Sequence, residues 1–149
     1  MLTEKDYCDH DTCVALKELG YIGNGRYYYD LDRDREKLRH FGFQVLSTRS
    51  AEALGFVLAI SLWNAQKWLR EEKRICVEIT CCAGGYVWEL CKAHHKDWFS
   101  GGTTIYTHCC EDNAINPLLN DCGKYDSYES ALLEGIKEAI KLLKEEDND

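Results

Sequence analysis

The stretch that most constrains the fold is residues 74–92, RICVEITCCAGGYVWELCK. Apolar and polar residues alternate on both sides of Gly84 and Gly85, and a period of two is typical of a half-buried β-strand. Glycine accepts the positive φ angles of a tight primed turn, so Gly84-Gly85 is predicted to be a two-residue turn. We therefore expect a β-hairpin.

This turn sets the expected register of the hairpin, with Cys81 opposite Trp88 and Ile79 opposite Leu90. One face is then continuous and apolar, comprising Ile75, Val77, Ile79, Cys81, Trp88 and Leu90. The other face is mixed and holds Cys76, Cys82 and Cys91 with Glu78, Thr80, Val87 and Glu89. The cysteines of this stretch therefore cannot all serve one site, and any chemistry belongs to the second face or to the segment that leads from Cys91 to His94 and His95.

The N-terminal half gives weaker signals. Residues 11–23, DTCVALKELGYIG, predict a short helix that Asp11 caps and Gly20 ends. GRYYYDL predicts a strand, the alternating charges of DRDREKLRHFG favour a solvated connector with at most one helical turn, and FQVL is a short candidate strand. Residues 47–60 fit either a helix or a strand, because Gly55 weakens both interpretations.

The second half is better specified. Ser61 is a plausible N-cap for a helix that carries Leu62, Ala65 and Leu69 on one side. Residues 103–110, TTIYTHCC, predict a third strand. A final helix is predicted after a capping box of Asp126 and Glu129, followed by a fraying tail, KEEDND. The fold class is therefore α+β, a small antiparallel sheet of the Gly-Gly hairpin and a third strand on two main helices, with a short N-terminal helix.

Length and charge limit the function. A chain of 149 residues fits a single domain spanning 1–149. Its net charge of −8 argues against general nucleic-acid or anionic-membrane binding, both of which depend on Lys and Arg. The helix–β–β–β–helix order is also that of double-stranded-RNA-binding domains, but Asp126 and Glu129 stand where those modules need basic residues. The absence of a leader or a long apolar window, with an odd number of cysteines, predicts reduced thiols and a cytoplasmic location.

Three segments carry a family resemblance: VALKELGY, SLWNAQKWLREEKRI and YDSYESALLEGIKEAIKLL. Together they resemble a group of small proteins from gut Bacteroidota and their phages and prophages, over about a third of the chain. That group usually enters its K-W-L-R-E helix through a Pro-Thr or Pro-Ser step, where this chain has Ile60-Ser61. The resemblance implies a mobile-element origin and brings neither an activity nor site residues.

Metal and thiol chemistry are weakly supported. No paired C-x2-C spacing is present, and the nearest candidate zinc ligands are Cys91, His94, His108 and Cys109. His108 and Cys109 are neighbours on a predicted strand, so they point to opposite faces. A second fragment, Cys8-x-His10-x2-Cys13, places a thiol in the first turn of a helix near a histidine, but no catalytic constellation accompanies it. We expect no metal, no cofactor and no catalytic residue.

A binding role remains as the leading expectation: a non-enzymatic phage or prophage accessory protein that antagonises host defence. It would block a defence protein of the host or sequester a nucleotide-like signal. Cationic ligand-binding candidates are Arg26, Lys67, Arg70 and Arg74, of which the last three share helical spacing. The alternatives are a small zinc-binding or thiol-active protein using the Cys/His clusters, and a homo-oligomeric virion or scaffolding component that uses exposed tryptophans.

Overall fold

The structure is a computed structural model that describes residues 2–82, 84–93, 103–108 and 125–148. Helices and small antiparallel sheets are mixed along the chain, which confirms the α+β class. The chain divides into two compact units, Met1–Ala65 (unit 1) and Gln66–Asp149 (unit 2), and each is described by itself. The expectation of a single domain stays a prediction.

Unit 1 contains a 3-10 helix at Glu4–Asp6, two α-helices and two small sheets. Its elements are α1 (His10–Glu18), β1 (Asn24–Gly25), β2 (Tyr27–Asp30), β3 (Arg39–His40), β4 (Leu46–Ser47), α2 (Thr48–Ala53) and β5 (Phe56–Leu58). Strands β3, β2 and β5 form a three-stranded antiparallel sheet in that order, and β1 pairs with β4. The GRYYYDL strand is thus confirmed at the centre of the larger sheet.

The ends of α1 correct one prediction and confirm another. The N-cap is Asp9, whose Oδ1 accepts a hydrogen bond from the Thr12 amide at 2.9 Å. Asp11 was the wrong choice, because the helix begins at His10 and Asp11 already lies in its first turn. Gly20 follows the C-cap with a φ of 103°, as expected of a glycine that ends a helix.

The ambiguous segment 47–60 contains both a helix and a strand. Ser47 caps α2 by accepting from the Ser50 amide at 3.0 Å, and Gly55 then takes a φ of 78° that allows the turn into β5. Of the candidate strand FQVL, only Leu46 belongs to β4. The charged connector, residues 32–42, has no helical turn, and its residues Arg39–His40 form strand β3, which the sequence did not predict.

Unit 2 contains the predicted hairpin with its third strand. Its elements are β6 (Ile75–Cys82), β7 (Gly85–Ala93), β8 (Thr103–His108) and α4 (Tyr128–Asp147), while α3 (Leu62–Glu72) begins in unit 1 and ends in unit 2. The three strands are antiparallel in the order β6, β7, β8. Ser61 Oγ accepts from the Asn64 amide at 3.2 Å, which confirms it as the cap of α3.

The hairpin register differs from the prediction by two residues. Cys82 pairs with Gly85, so Ile79 lies opposite Trp88, not opposite Leu90. Cys81 lies opposite Tyr86 and is exposed; its predicted core position against Trp88 was wrong. The physical reason is that Gly85 joins the strand instead of the turn. Because the shift is even, every side chain of the hairpin keeps its predicted face.

Helix α4 packs on β6 and β7 through a small residue. A Cβ added at Gly135 would lie 2.6 Å from Val77 Cγ1 and 3.1 Å from Trp88 Cβ, so the helix backbone approaches the sheet closely there. The buried face of the helix consists of Ala131, Leu132, Gly135, Ile136, Ala139, Ile140 and Leu143. The core of unit 2 therefore lies between α4 and the apolar face of the hairpin.

The two ends of α4 correct the sequence analysis. Its N-cap is Ser127, which accepts from the Ser130 amide at 3.1 Å, so the predicted Asp126–Glu129 capping box was wrong. The helix also runs through most of KEEDND, to Asp147. Lys92 of β7 forms an ion pair with Glu146 in the last turns, which gives this segment a tertiary contact that a sequence pattern does not reveal.

Candidate functional site

The cationic candidates are spread over both units. Lys67 and Arg70 lie three residues apart on α3, Lys67 exposed and Arg70 half-buried. Arg74 follows the end of α3 with a left-handed φ of 58°, so helical spacing does not extend to it. Arg26 belongs to unit 1, where it is exposed between β1 and β2. Ligand binding by these four residues stays a prediction.

Three aromatic rings gather on one side of the β3-β2-β5 sheet. Tyr28 of β2 stacks on Phe56 of β5, with ring centroids 4.3 Å apart and planes 25° apart. Phe41, directly after β3, meets Tyr28 edge to face at 5.9 Å. All three side chains are half-buried. We call these residues together with Arg39 the aromatic face.

Arg39 places a cation beside these rings. It pairs with Tyr28 across β2 and β3, and directly paired residues of neighbouring strands present their side chains on the same face. Its Nε atom is buried and has no hydrogen-bond partner among the described residues. A buried N–H without an acceptor is unfavourable by about 1–3 kcal/mol. The aromatic face therefore includes a donor without a partner in the described part of the chain, and an acceptor from outside the protein reaches it only if the Arg39 side chain moves.

Arg26 adjoins the same face through the backbone. Its carbonyl accepts a hydrogen bond from the Phe41 amide at 2.7 Å, which fixes the two residues next to each other. The side chain of Arg26 is exposed, and its backbone lies next to that of Phe41, one of the three aromatic residues. Of the four cationic candidates, Arg26 is the one that the structure places next to the aromatic face within unit 1.

The opposite side of this sheet belongs to the core of unit 1. The buried Tyr29 hydroxyl donates to the Cys8 carbonyl at 2.6 Å, and burial is the main cause that raises the pKa of this phenol. Tyr27 contacts the rings of Tyr7 and His40 at centroid distances of 5.1 and 4.8 Å. This side of the sheet is therefore occupied by side chains of unit 1, whereas the rings of Tyr28, Phe41 and Phe56 on the other side keep part of their surface exposed.

The fragment Cys8-x-His10-x2-Cys13 forms a buried cluster. Cys8 and Cys13 are fully buried, and Cys13 Sγ contacts both the Cys8 carbonyl (3.6 Å) and the Ile60 amide (3.4 Å). A hydrogen bond with Cys13, followed by burial, raises the pKa of the Cys8 thiol well above its usual value. A buried thiol held in its neutral form is suited to packing rather than nucleophilic attack.

His10 in the same cluster is nearly buried. Its Nδ1 lies 2.9 Å from Asp11 Oδ1, and its Nε2 has no hydrogen-bond partner among the described residues. The ring meets Tyr29 edge to face at 5.9 Å. These contacts tie His10 to the core of unit 1.

The outer face of the hairpin carries a second cluster. Cys76 lies opposite Cys91, and Glu78 lies opposite Glu89 in the same register. Each thiol donates to the carboxylate two residues along its own strand, Cys76 to Glu78 at 3.0 Å and Cys91 to Glu89 at 3.5 Å. We call these four residues the thiol–carboxylate cluster. They lie on the face to which the sequence analysis assigned any chemistry of this stretch.

The electrostatics of this cluster disfavour thiolates. Burial, the hydrogen bond to Glu78 and the charge of Glu78 raise the pKa of Cys76 to about 12, although nearby Arg70 acts in the opposite direction. Burial, followed by the hydrogen bond to Glu89 and the charges of Glu89 and Glu78, raises the pKa of Cys91 to about 11. Both thiols are therefore almost fully protonated at neutral pH.

The zinc candidates fall largely beyond what the structure describes. His94 and Cys109 lie outside the described residues, and His108 is described only through its backbone, which pairs with Glu89. Cys91 donates to Glu89 as above. Within the described part of the chain, no three His, Cys, Asp or Glu side chains are grouped so that they could hold a metal ion.

Comparison of the chain with protein-family models, with curated proteins and with solved structures finds no match. None of the helices in the described ranges is long and apolar enough to cross a membrane.

The aromatic face was not predicted from the sequence. Tyr27, Tyr28 and Tyr29 indicated a strand, but Phe41 and Phe56 join Tyr28 only through strand pairings with partners distant in the chain.

Proposed function

We propose that this protein acts by binding, without catalysis, and that its ligand is a nucleotide-like molecule held on the aromatic face. The observation that carries the proposal is the buried, unsatisfied Nε of Arg39, in the part of the chain that the structure describes, beside the stacked rings of Tyr28 and Phe56. An aromatic surface with an adjacent guanidinium matches a planar base joined to an anionic phosphate.

Each part of the face has a separate role in this proposal. The rings of Tyr28, Phe41 and Phe56 offer a surface on which a base stacks, a contact that contributes about 1–3 kcal/mol per base. The side chain of Arg39 moves outward so that its Nε–H donates to a phosphate oxygen, and the exposed guanidinium of Arg26 adds charge at the edge. Lys67, Arg70 and Arg74 are not required for this site.

The biological setting that we propose is that of a phage or prophage accessory protein in the cytoplasm of a bacterial host. A small protein that removes a nucleotide signal by binding antagonises host defence without any catalytic residue. The net charge of −8 supports a ligand held by local contacts rather than general attraction to nucleic acid. The resemblance of three segments to proteins of Bacteroidota and their phages supports the mobile-element origin.

Calorimetric titration of the full chain with mononucleotides and cyclic dinucleotides tests this proposal. We expect saturable binding of at least one of them, weakened about 10-fold or more by Arg39→Gln and by Tyr28→Leu. Arg33→Gln is the matched control, because Arg33 is an exposed arginine in the connector between β2 and β3. Binding that is absent throughout the panel, or equal in Arg39→Gln and Arg33→Gln, would contradict a nucleotide site on this face.

A protein partner is the second candidate, because unit 1 exposes large apolar side chains. Phe43 is 97% exposed and Ile22 is 85% exposed, with Val45 also exposed beside β4. Such side chains are typical of contact surfaces when they lie together. A host defence protein and a second copy of this chain are the partners to distinguish. Light scattering at several protein concentrations detects self-association, which Phe43→Ser would reduce.

The metal and thiol alternatives are separated from binding by elemental analysis of protein purified without chelator. Stoichiometric zinc that is lost in Cys91→Ser would favour a zinc protein over the present proposal. Zinc that persists in Cys91→Ser would exclude Cys91 as an essential ligand.

A further inference from the structure

We propose that Cys76 and Cys91 form a reversible cross-strand disulfide on the outer face of the hairpin. The two residues are directly opposed in the β6–β7 register and both are half-buried free thiols. This inference concerns unit 2 and does not depend on the function proposed for the aromatic face.

Neighbouring hydrogen bonds determine whether Cys76 and Cys91 form a hydrogen-bonded or a non-hydrogen-bonded pair of the antiparallel ladder. The Val77 carbonyl accepts from Gln66 Nε2 at 2.8 Å, and Tyr86 exchanges both backbone hydrogen bonds with Tyr125. The backbone groups of Val77 and Tyr86 therefore point away from their partners in the hairpin. Because hydrogen-bonded and non-hydrogen-bonded pairs alternate in an antiparallel ladder, Cys76 and Cys91 form a hydrogen-bonded pair.

This pair type brings the cysteines within disulfide range but not to an ideal separation. Opposed Cα atoms in a hydrogen-bonded pair are about 5.5 Å apart, close to the usual value for disulfides. Their Cβ atoms lie near the wide end of about 4.5–5.5 Å, whereas a disulfide holds them at about 3.8 Å. Closing the bond pulls the strands together locally, and a strained disulfide is more easily reduced.

The side chains favour the same pairing. Both thiols lie on one face, where the charge of Cys91 raises the pKa of Cys76 and the charge of Glu78 raises the pKa of both. Cys81 is exposed on the same hairpin but lies on the opposite face, so it cannot compete without turning its side chain around the strand.

The reaction is thiol–disulfide exchange with a small disulfide such as oxidised glutathione. One cysteine thiolate attacks the small disulfide, forms a mixed disulfide and releases one glutathione thiolate. The second cysteine then attacks the protein sulfur of the mixed disulfide and releases the second glutathione. The two protein thiols lose two electrons and two protons in total, and one oxidised glutathione becomes two reduced molecules.

Glu78 and Glu89 set the rate of this exchange. They accept hydrogen bonds from the thiols and disfavour the thiolates, which are the attacking species, whereas Arg70 favours the thiolate of Cys76. Oxidation should therefore be slow near neutral pH and accelerate by close to tenfold per pH unit in mild alkali. The finished bond removes both thiol donors and leaves the two carboxylates directly opposed.

The experiment incubates the reduced full chain with glutathione buffers, blocks the remaining thiols by alkylation and maps disulfide-linked peptides by mass spectrometry. We expect a Cys76–Cys91 link as the main product, reversed by excess reduced glutathione and unaffected by Cys81→Ser. The double variant Glu78→Gln/Glu89→Gln should form the link several-fold faster at neutral pH. Circular dichroism confirms that each variant is folded.

Two results would overturn the inference. One is that Cys76 and Cys91 stay alkylatable in folded protein after prolonged oxidation in mild alkali. The other is that Cys91 becomes linked mainly to cysteines other than Cys76. Faster oxidation in the double variant with an unchanged linkage pattern would support both the pairing and the assigned role of the carboxylates.

Discussion

The hydroxyl of Tyr29 links strand β2 to the chain segment before α1. It donates at 2.6 Å to the carbonyl of Cys8, just before α1, from a side chain that is 4% exposed. Without this hydroxyl, the contact that remains at the Cys8 carbonyl is the longer one from the Cys13 thiol, at 3.6 Å. The contact connects the central strand of the sheet to the segment that enters the first helix.

We predict that Tyr29→Phe lowers the free energy of unfolding by about 1–3 kcal/mol, because it leaves a buried carbonyl without this donor. Tyr28→Phe is the matched control, since the neighbouring side chain is half-buried and its ring contacts survive. Urea denaturation measures both. A loss in Tyr28→Phe as large as that in Tyr29→Phe would argue against the importance of this hydrogen bond.

Gly135 shows how a missing side chain positions a helix. A Cβ would lie 2.6 Å from Val77 Cγ1, closer than real side chains approach, so Gly135→Ala must displace α4 or the sheet. We predict a loss of about 1–3 kcal/mol despite the better helix propensity of alanine. Lys141→Ala, at an exposed position of α4, should leave stability almost unchanged in the same denaturation assay.

At the scale of elements, the N-cap of α4 is one residue away from the one that the sequence predicted. The structure assigns the role to Ser127, whereas the sequence pattern favoured Asp126. We predict that Ser127→Ala costs about 1 kcal/mol and that Asp126→Ala costs much less. Thermal unfolding followed at the helix band of circular dichroism compares them. A larger effect at Asp126 would restore the capping box that the sequence predicted.

The elements that the sequence predicted well are those with local, repeated patterns. The hairpin, the cap of α3 by Ser61 and the apolar face of α4 all follow from periodicity or from cap chemistry within a few residues. The register slipped because Gly84 and Gly85 allow two adjacent turn positions, and local sequence does not choose between them. Segment 47–60 combined a helix and a strand in fourteen residues, too short for either period to dominate.

The candidate sites were harder to predict because they depend on strand pairing. Cys76 and Cys91 share a face by alternation, which the sequence showed, but their direct opposition depends on the register. Tyr28, Phe41 and Phe56 come together only because β2 pairs with both β3 and β5. The predicted cations Lys67, Arg70 and Arg74 followed helix spacing, and that spacing fails at Arg74 because its backbone is left-handed.

At the scale of the whole molecule, several groups link stability to alkaline pH. The pKa of Tyr29 is raised, and those of Cys76 and Cys91 are raised to about 12 and about 11. The folded state therefore retains these protons more strongly than the unfolded state. The stability that they contribute is complete below the ordinary pKa values, near 9 for the thiols and 10 for the phenol, and is lost as pH rises through the raised values.

We predict that the urea midpoint falls between about pH 9 and pH 11, and that the fall is shallower in Cys76→Ser/Cys91→Ser. The measurement is a series of urea titrations at increasing pH with reductant present, which keeps disulfide formation out of the comparison. Cys81→Ser is the control, because it removes an exposed thiol from the same hairpin. A fall of equal steepness in the double serine variant and in the control would assign the alkaline loss to other groups.

The even shift of the hairpin has a consequence for how the turn tolerates changes in length. Side chains alternate between the two faces of a strand with a period of two. Adding or removing one residue within β6 or β7 therefore moves the buried side chains beyond that point to the exposed face, and the exposed ones to the buried face. A change in β6 would remove Val77 from the surface that receives Gly135 and bring Cys76 and Glu78 into it, and a change in β7 would remove Trp88. Two-residue changes preserve the phase. The strands of this hairpin can therefore change in length in steps of two while helix and sheet remain in contact.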